Sequence, residues 1–298
     1  MIEYISLNRM CQDIRENLWK IPRDIIGVVG VPRSGMLAAT IISEYLNVGL
    51  ANFNELISNR DPRMTFQKNH GNRYMNQIPG NRVLVVDDTC FAGSQNLKCR
   101  QEIERSFGIH PDYEFVYLVV YMEGDGHVSN PDIFLRDVRG LAKSSDLGIM
   151  LYEWNIFNHN PSVMEKMMFD YDGVFCLDPP DERNIDAYER YIENPTPLFL
   201  PTKNMDVRIN IVTYRLEKYR RQTENFLFRN GIQNVNLTMY KASTYEERGK
   251  IKPEIYKGNT YRESDAILFI ESDDRQAQMI RSISGKSVYC VSTNKIYS

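Results

Sequence analysis

Apolar positions along the chain switch repeatedly between helical and strand spacing. Leu7, Met10, Cys11, Ile14 and Leu18 recur at helical intervals, which predicts an amphipathic helix ending near Pro22. Ile25 to Val31 is an apolar run of strand length, followed by a turn at Pro32 to Gly35 and a helical pattern through Leu37, Ile41, Ile42 and Tyr45. The stretch from Asn54 to Arg82 has no strong period; it carries Arg60, Arg63, Lys68 and Arg73 with Gly71 and Gly80, and reads as a long loop or flap. Val83 to Val86 forms a strand that ends in Asp87 and Asp88, and a small-residue turn leads to a helix through Leu97, Ile103 and Phe107. Val116 to Tyr121 supplies a further strand. Such alternation predicts an α/β fold with a parallel, doubly wound sheet, whose ligands sit beyond the carboxyl ends of its strands.

Around Asn158 to Ser162 the chain turns polar, with Pro161, and a second series begins. Strands are expected at Val163 to Asp170, Arg208 to Val212, Val235 to Met239, Ala266 to Ile270 and Ser287 to Val291, with helices between. The expected organisation is two α/β domains, residues 1–160 and 161–298, which suits a length of 298 residues. An apolar share of 42% with 25% charged residues excludes disorder, collagen and coiled coil as the main architecture. Thirty-six basic against 39 acidic residues, a net charge of -3, lacks the excess that non-specific nucleic-acid binding requires. The longest apolar run is far too short to cross a membrane, and Met1-Ile2-Glu3-Tyr4 does not open a secretory signal, so a cytoplasmic location is expected. The five cysteines are scattered and lack metal spacing, which predicts reduced thiols.

The chemistry concentrates at strand ends. Val83-Leu84-Val85-Val86-Asp87-Asp88-Thr89-Cys90-Phe91-Ala92-Gly93-Ser94-Gln95 sets two carboxylates before a small-residue loop that opens a helix. Amides at such a helix start can cradle a phosphate while carboxylates accept from sugar hydroxyls. On these residues alone, a solvated acidic turn capping the helix serves equally well. The segment resembles the ribose-5-phosphate signature of type I phosphoribosyltransferases. The resemblance implies that Asp87 and Asp88 hold the ribose hydroxyls and that the amides of Cys90, Phe91, Ala92, Gly93, Ser94 and Gln95 hold the 5-phosphate. Ala92 stands where the family usually has Thr, at the loss of one hydroxyl contact. Upstream, Gly30-Val31-Pro32-Arg33-Ser34-Gly35 resembles the family's pyrophosphate loop, in which Arg33, Ser34 and Gly35 would meet pyrophosphate. The segment from Asn54 to Arg82 falls where the family keeps a flexible catalytic loop, and Arg60, Arg63, Lys68 and Arg73 are its candidate cations. A solvated basic loop accounts for each of them as well.

Phe169-Asp170-Tyr171-Asp172-Gly173-Val174 places two carboxylates at alternate residues of a strand end, one able to attack phosphorus and one able to protonate a leaving oxygen. A calcium loop is opposed by Tyr171 and by the lack of further spaced acids, and a plain acidic turn stays open. The motif resembles the first motif of the haloacid dehalogenase superfamily, which implies Asp170 as nucleophile and Asp172 as acid/base. Ile211-Val212-Thr213 resembles the second motif and Lys252 the third, with Lys250 as its rival. Glu271-Ser272-Asp273-Asp274, after Ile267 to Ile270, stands where the fourth, Mg²⁺-binding motif is expected. The implied metal set is Asp170, Asp172, Glu271 and Asp273. About 35 residues separate the first two motifs, which implies a minimal cap over a Rossmannoid sheet and an open site.

Together the resemblances imply a phosphoribosyltransferase-like module fused to a phosphatase-like one, both using Mg²⁺. The first would take 5-phosphoribosyl from phosphoribosyl pyrophosphate, and the second would remove the 5-phosphate. Because that phosphatase would undo nucleotide salvage, the expected acceptor is a sugar or glycan in polysaccharide synthesis. Nucleobase transfer and a sensor of phosphoribosyl pyrophosphate are the alternatives, and a homodimer is compatible with the sequence.

Overall fold

A computed structural model describes residues 2–70, 80–108, 112–141, 149–179, 184–200, 207–242 and 245–298. By its contacts the chain divides into two compact units, Ile5–Met150 and Met1–Tyr4 with Leu151–Ser298. A short strand β1 (Ile2–Ile5) pairs with β7 (Ile149–Tyr152).

The first unit runs α1 (Leu7–Asn17), β2 (Ile25–Gly30), α2 (Ser34–Leu46), β3 (Gly49–Asn52), α3 (Phe53–Asn59), α4 (Pro62–His70), β4 (Arg82–Cys90), α5 (Ser94–Phe107), β5 (Glu114–Met122) and β6 (Ile133–Asp137). Its five strands are parallel in the order β3-β2-β4-β5-β6. All of β2 and most of β5 are buried, as expected of strands covered on both faces. The winding passes from β2 outward to β3 and returns to β4 on the other side, so the crevice at this reversal lies between the carboxyl ends of β2 and β4.

Residues 54–70 correct the expectation of a loop, because they form α3 and α4. Asn52 starts α3 through a capping box with Glu55, and Leu56 and Phe66 are wholly buried. Phe66 packs against bare backbone: a Cβ on Gly27 or Gly49 would meet its side chain at 2.3 or 2.9 Å. Gly71, Arg73 and the Lys68 side chain lie outside the described residues.

The second unit contains α6 (Pro161–Met164), β8 (Met167–Phe169), α7 (Ile185–Glu193), β9 (Ile209–Leu216), α8 (Arg220–Arg229), β10 (Val235–Tyr240), α9 (Tyr245–Arg248), α10 (Pro253–Glu263), β11 (Leu268–Glu271), α11 (Asp274–Ser284), β12 (Ser287–Cys290) and β13 (Lys295–Tyr297). Its strand order is β10-β9-β8-β11-β12-β13, parallel apart from β13. The reversal of winding here falls between the carboxyl ends of β8 and β11. The strand expected from Val163 begins only at Met167, because the Asn160 side chain accepts from the Val163 N–H and Pro161 starts a helical turn. Among the described residues, no helix is long and apolar enough to cross a membrane.

Candidate functional site

In the first unit β4 continues past Val86 to Cys90, so Asp87 and Asp88 lie within the strand rather than after it. Successive side chains then take opposite faces of the pleat. Asp87 lines a cavity of about 310 Å³ at the carboxyl end of the sheet, whereas Asp88 is buried on the other face. The Asp88 N–H donates to Asp87 Oδ1 at 3.0 Å. Burial first, and then the charge of Asp88, push Asp87 up to about 8.

Residues Cys90 to Asn96 line the same cavity, and Val31, Val85, Tyr117 and Val119 add apolar wall. The loop is tied back by its oxygens. Cys90 O accepts from the Glu123 N–H at 2.8 Å, Phe91 O from Gly126 at 3.0 Å and Ala92 O from Val128 at 2.9 Å. Gly93 turns the chain into α5 with φ +88, and a Cβ there would lie 1.9 Å from Ser129 O. Asn96 Nδ2 fastens the first turn of α5 to Ser129 Oγ at 3.1 Å. Among the described residues, the backbone N–H groups from Ala92 to Asn96 donate to no other protein group, and the first helical bond runs from Leu97 to Gly93 O. A row of unsatisfied amides at a helix start is an anion cradle.

The turn after β2 abuts this strand end. The Val31 N–H donates to Val86 O at 2.9 Å, the Pro32–Arg33 peptide is cis, and Arg33 is exposed at the start of α2. Ser34 and Gly35 open that helix. A Cβ on Gly35 would meet Asp87 Oδ1 and Val86 O at 2.8 Å, so glycine lets α2 rest directly on the acidic end of β4. Of the basic candidates, Arg60 ends α3, and Arg63 donates to Gly80 O at 2.9 Å. Neither Asn96 nor the carbonyl-tying segment 123–129 stands out in the sequence. The five cysteines are free, and burial pushes Cys99 up to about 11, which leaves it a poor nucleophile at neutral pH.

In the second unit Asp170 follows β8, and its N–H donates to Ile270 O at 2.9 Å. The Lys257 ammonium reaches Asp170 Oδ2 at 2.7 Å, Glu271 Oε2 at 2.9 Å and Gln276 Oε1 at 3.0 Å. Asp170, Lys257 and Glu271 are each buried. Burial and then Glu271 push Asp170 upward while Lys257 opposes them; for Lys257, the attraction of both carboxylates outweighs burial and raises it. Asp170 Oδ1 makes no bond to another described residue.

Asp172 pairs with Arg215, whose Nη2 donates to Oδ1 at 2.6 Å and whose Nε donates to Oδ2 at 2.9 Å. Thr213, also buried, accepts the Arg215 N–H on Oγ1 at 3.1 Å. Asp170, Asp172, Thr213, Arg215, Lys257 and Asp273 share one cavity of about 270 Å³, to which Arg248 and Gln276 also contribute. Gly173, at φ +74, lets Ser272 approach: a Cβ there would lie 2.2 Å from Ser272 Oγ, which donates to Asp172 O at 3.3 Å.

Lys252, the lysine expected at this site, is exposed at the start of α10, and Lys250 is exposed as well. The ammonium beside Asp170 belongs to Lys257, more than a turn further along that helix. The expected metal ligands are committed elsewhere. Glu271 Oε1 accepts from the N–H groups of Ser272 and Asp273 at 2.9 and 3.2 Å, while Asp273 Oδ1 caps α11 through Gln276 N at 2.7 Å. Among the described residues no three acid, histidine or cysteine side chains gather where they could hold a metal ion. The set Asp170, Asp172, Glu271 and Asp273 therefore does not fit a shared Mg²⁺ in this structure.

No protein-family model and no curated protein matches the chain. Solved structures do. A Helicobacter pylori xanthine-guanine-hypoxanthine phosphoribosyltransferase is similar at 15% identity and TM-score 0.36, over 52% of this chain and 93% of its own. A Pyrococcus horikoshii purine phosphoribosyltransferase is similar at 16% identity and TM-score 0.33, over 53% and 97%. The Pnkp1/Rnl/Hen1 complex is similar at 14% identity and TM-score 0.32, over 90% and 96%.

Proposed function

We propose that the first unit transfers a 5-phosphoribosyl group from phosphoribosyl pyrophosphate to a sugar or glycan, and that the second hydrolyses the 5-phosphate from the product. The observation that supports the first step is the open row of amides from Ala92 to Asn96 in the cavity that also contains Asp87. Those amides receive the 5-phosphate, Asp87 accepts from ribose hydroxyls, and Arg33 faces the pyrophosphate. The bond from the anomeric carbon to pyrophosphate breaks while an acceptor hydroxyl oxygen bonds to that carbon from the opposite face and releases its proton to water, which turns the α donor into a β product. Asp87, a hard oxygen donor raised by burial, suits a Mg²⁺ ion that arrives with pyrophosphate; that ion would offset charge on the leaving group.

In the second unit an Asp170 oxygen attacks phosphorus and the alcohol departs. Water then releases phosphate and regenerates the carboxylate. Lys257 and Thr213 orient the nucleophile and the phosphoryl group, and Asp172 exchanges the proton. A ribofuranosylated glycan needs this second step and a salvaged nucleotide does not, which supports the saccharide acceptor. The test supplies phosphoribosyl pyrophosphate and Mg²⁺ to a panel of saccharides and nucleobases. A saccharide should gain the mass of one unphosphorylated pentose and show a β-anomeric NMR signal. Conversion of a base with no turnover of any saccharide overturns the acceptor; binding of the donor without any turnover overturns the transferase.

A further inference from the structure

Arg215 has no role in the two-step scheme, yet among the described residues it is the largest wholly buried side chain. It stands two residues after Thr213 on β9, so both side chains share one face of the strand. Its Nε also lies 3.1 Å from Asp172 Oδ1, so the guanidinium engages both carboxylate oxygens. The group lies 4.4 Å over the Tyr171 ring, its Nη1 has no partner among the described residues, and its side chain is 1% exposed. Burying a guanidinium is costly unless it is paired, and here it is committed to a single carboxylate in the Asp170 cavity.

Resting on the phosphatase reading of this unit, we propose that Arg215 is a positioning residue that aims Asp172 at the water hydrolysing the phosphorylated Asp170. In that half-reaction the water oxygen bonds to phosphorus. The bond from phosphorus to Asp170 breaks, its electron pair returns to Asp170, and the water proton passes to Asp172. The fork of Arg215 fixes the plane of the carboxylate and leaves lone pairs on both oxygens to accept that proton.

The test uses the full chain and p-nitrophenyl phosphate, whose nitrophenolate leaves without needing a proton. Arg215→Lys keeps a charge but cannot hold both oxygens. Steady turnover should fall roughly 10²-fold, the lower range for a positioned proton acceptor. A burst of nitrophenolate near one equivalent per chain should precede it, because phosphorylated Asp170 still forms and then waits for water; the unaltered chain shows no burst. Tyr171→Leu removes the ring beneath the guanidinium and keeps both charges. The Tyr171 hydroxyl has no partner among the described residues, so its loss leaves none of them unpaired, and the same burst should accompany a smaller fall in turnover. This second variant decides the matter where circular dichroism shows that Arg215→Lys does not fold. A folded variant that loses turnover without a burst, or loses none, overturns the positioning role while the phosphatase reading stands. An unaltered, folded chain that hydrolyses no phosphomonoester overturns that reading and the proposal with it.

Discussion

The two candidate sites occupy the same topological place, the carboxyl end of a central strand where the winding of a parallel sheet reverses, and they handle charge in opposite ways. In the first unit the ligand-facing groups are backbone amides and one acid, Asp87, which burial and Asp88 push up to about 8. In the second, three of the acids have a buried cation: Lys257 lies between Asp170 and Glu271, and Arg215 engages Asp172. A ligand that brings a cation relieves the first site, whereas the second is balanced and oriented by its own side chains. The difference suits the chemistry proposed for each. A donor carrying pyrophosphate with Mg²⁺ brings its own counter-charge, while a phosphomonoester needs a nucleophile already held in place.

The largest effect is expected from removing Lys257, the cation shared by Asp170 and Glu271. Lys257→Met leaves Asp170 and Glu271 buried together, and breaking such a pair from one side costs about 3–5 kcal/mol. Denaturant unfolding of the full chain should show that loss in the transition of the second unit, with phosphate release abolished. Unchanged stability would mean that the three groups are not paired in solution.

An opposite effect, of comparable size and spread over pH, is expected at Asp87. Its value in the folded chain, about 8, lies above the ordinary 3.8, so between those values the folded chain keeps a proton that the unfolded chain has released. Asp87 therefore makes stability fall as pH rises from about 4 to about 8, with a slope approaching about 1.4 kcal/mol per pH unit and no further change above. Asp87→Asn should remove that component, so the stability difference between variant and parent should grow over this range in favour of the variant. A flat difference would place Asp87 in an ordinary solvated setting.

Much of this contrast is legible in the sequence, for reasons that differ from residue to residue. Strands covered on both faces must be apolar throughout, so Ile25 to Val31, Val83 to Val86 and Val116 to Tyr121 announce the first sheet, and acids at strand ends announce the sites. The helices α3 and α4 escape notice because only a few anchors, Leu56 and Phe66 among them, hold them to the sheet. The strands β3 and β6 are short, and Gly49 opens β3 because its bare backbone must admit Phe66. Arg215 was hidden by an expected strand end at Val212; β9 in fact runs to Leu216 and carries the polar Thr213-Tyr214-Arg215 inward. Lys257, between Tyr256 and Gly258, looks like any helical lysine. Its burial follows from the packing of α10 on α11, where a Cβ on Gly258 would meet Ile283 at 2.9 Å. Lys252 offered the more visible pattern, a lysine before a proline, and the proline sets a helix start that leaves it exposed.

If two separate sites perform the two proposed steps in succession, pyrophosphate and phosphate release can be followed in parallel from phosphoribosyl pyrophosphate and an accepted saccharide. With Asp87→Asn and Asp88→Asn combined, pyrophosphate release should be lost while an added simple phosphomonoester is still hydrolysed. With Asp170→Asn, pyrophosphate release should continue, phosphate release should cease, and mass spectrometry should find the pentose still phosphorylated. Normal dephosphorylation by Asp170→Asn, or pyrophosphate release undiminished in the double variant, would contradict the account.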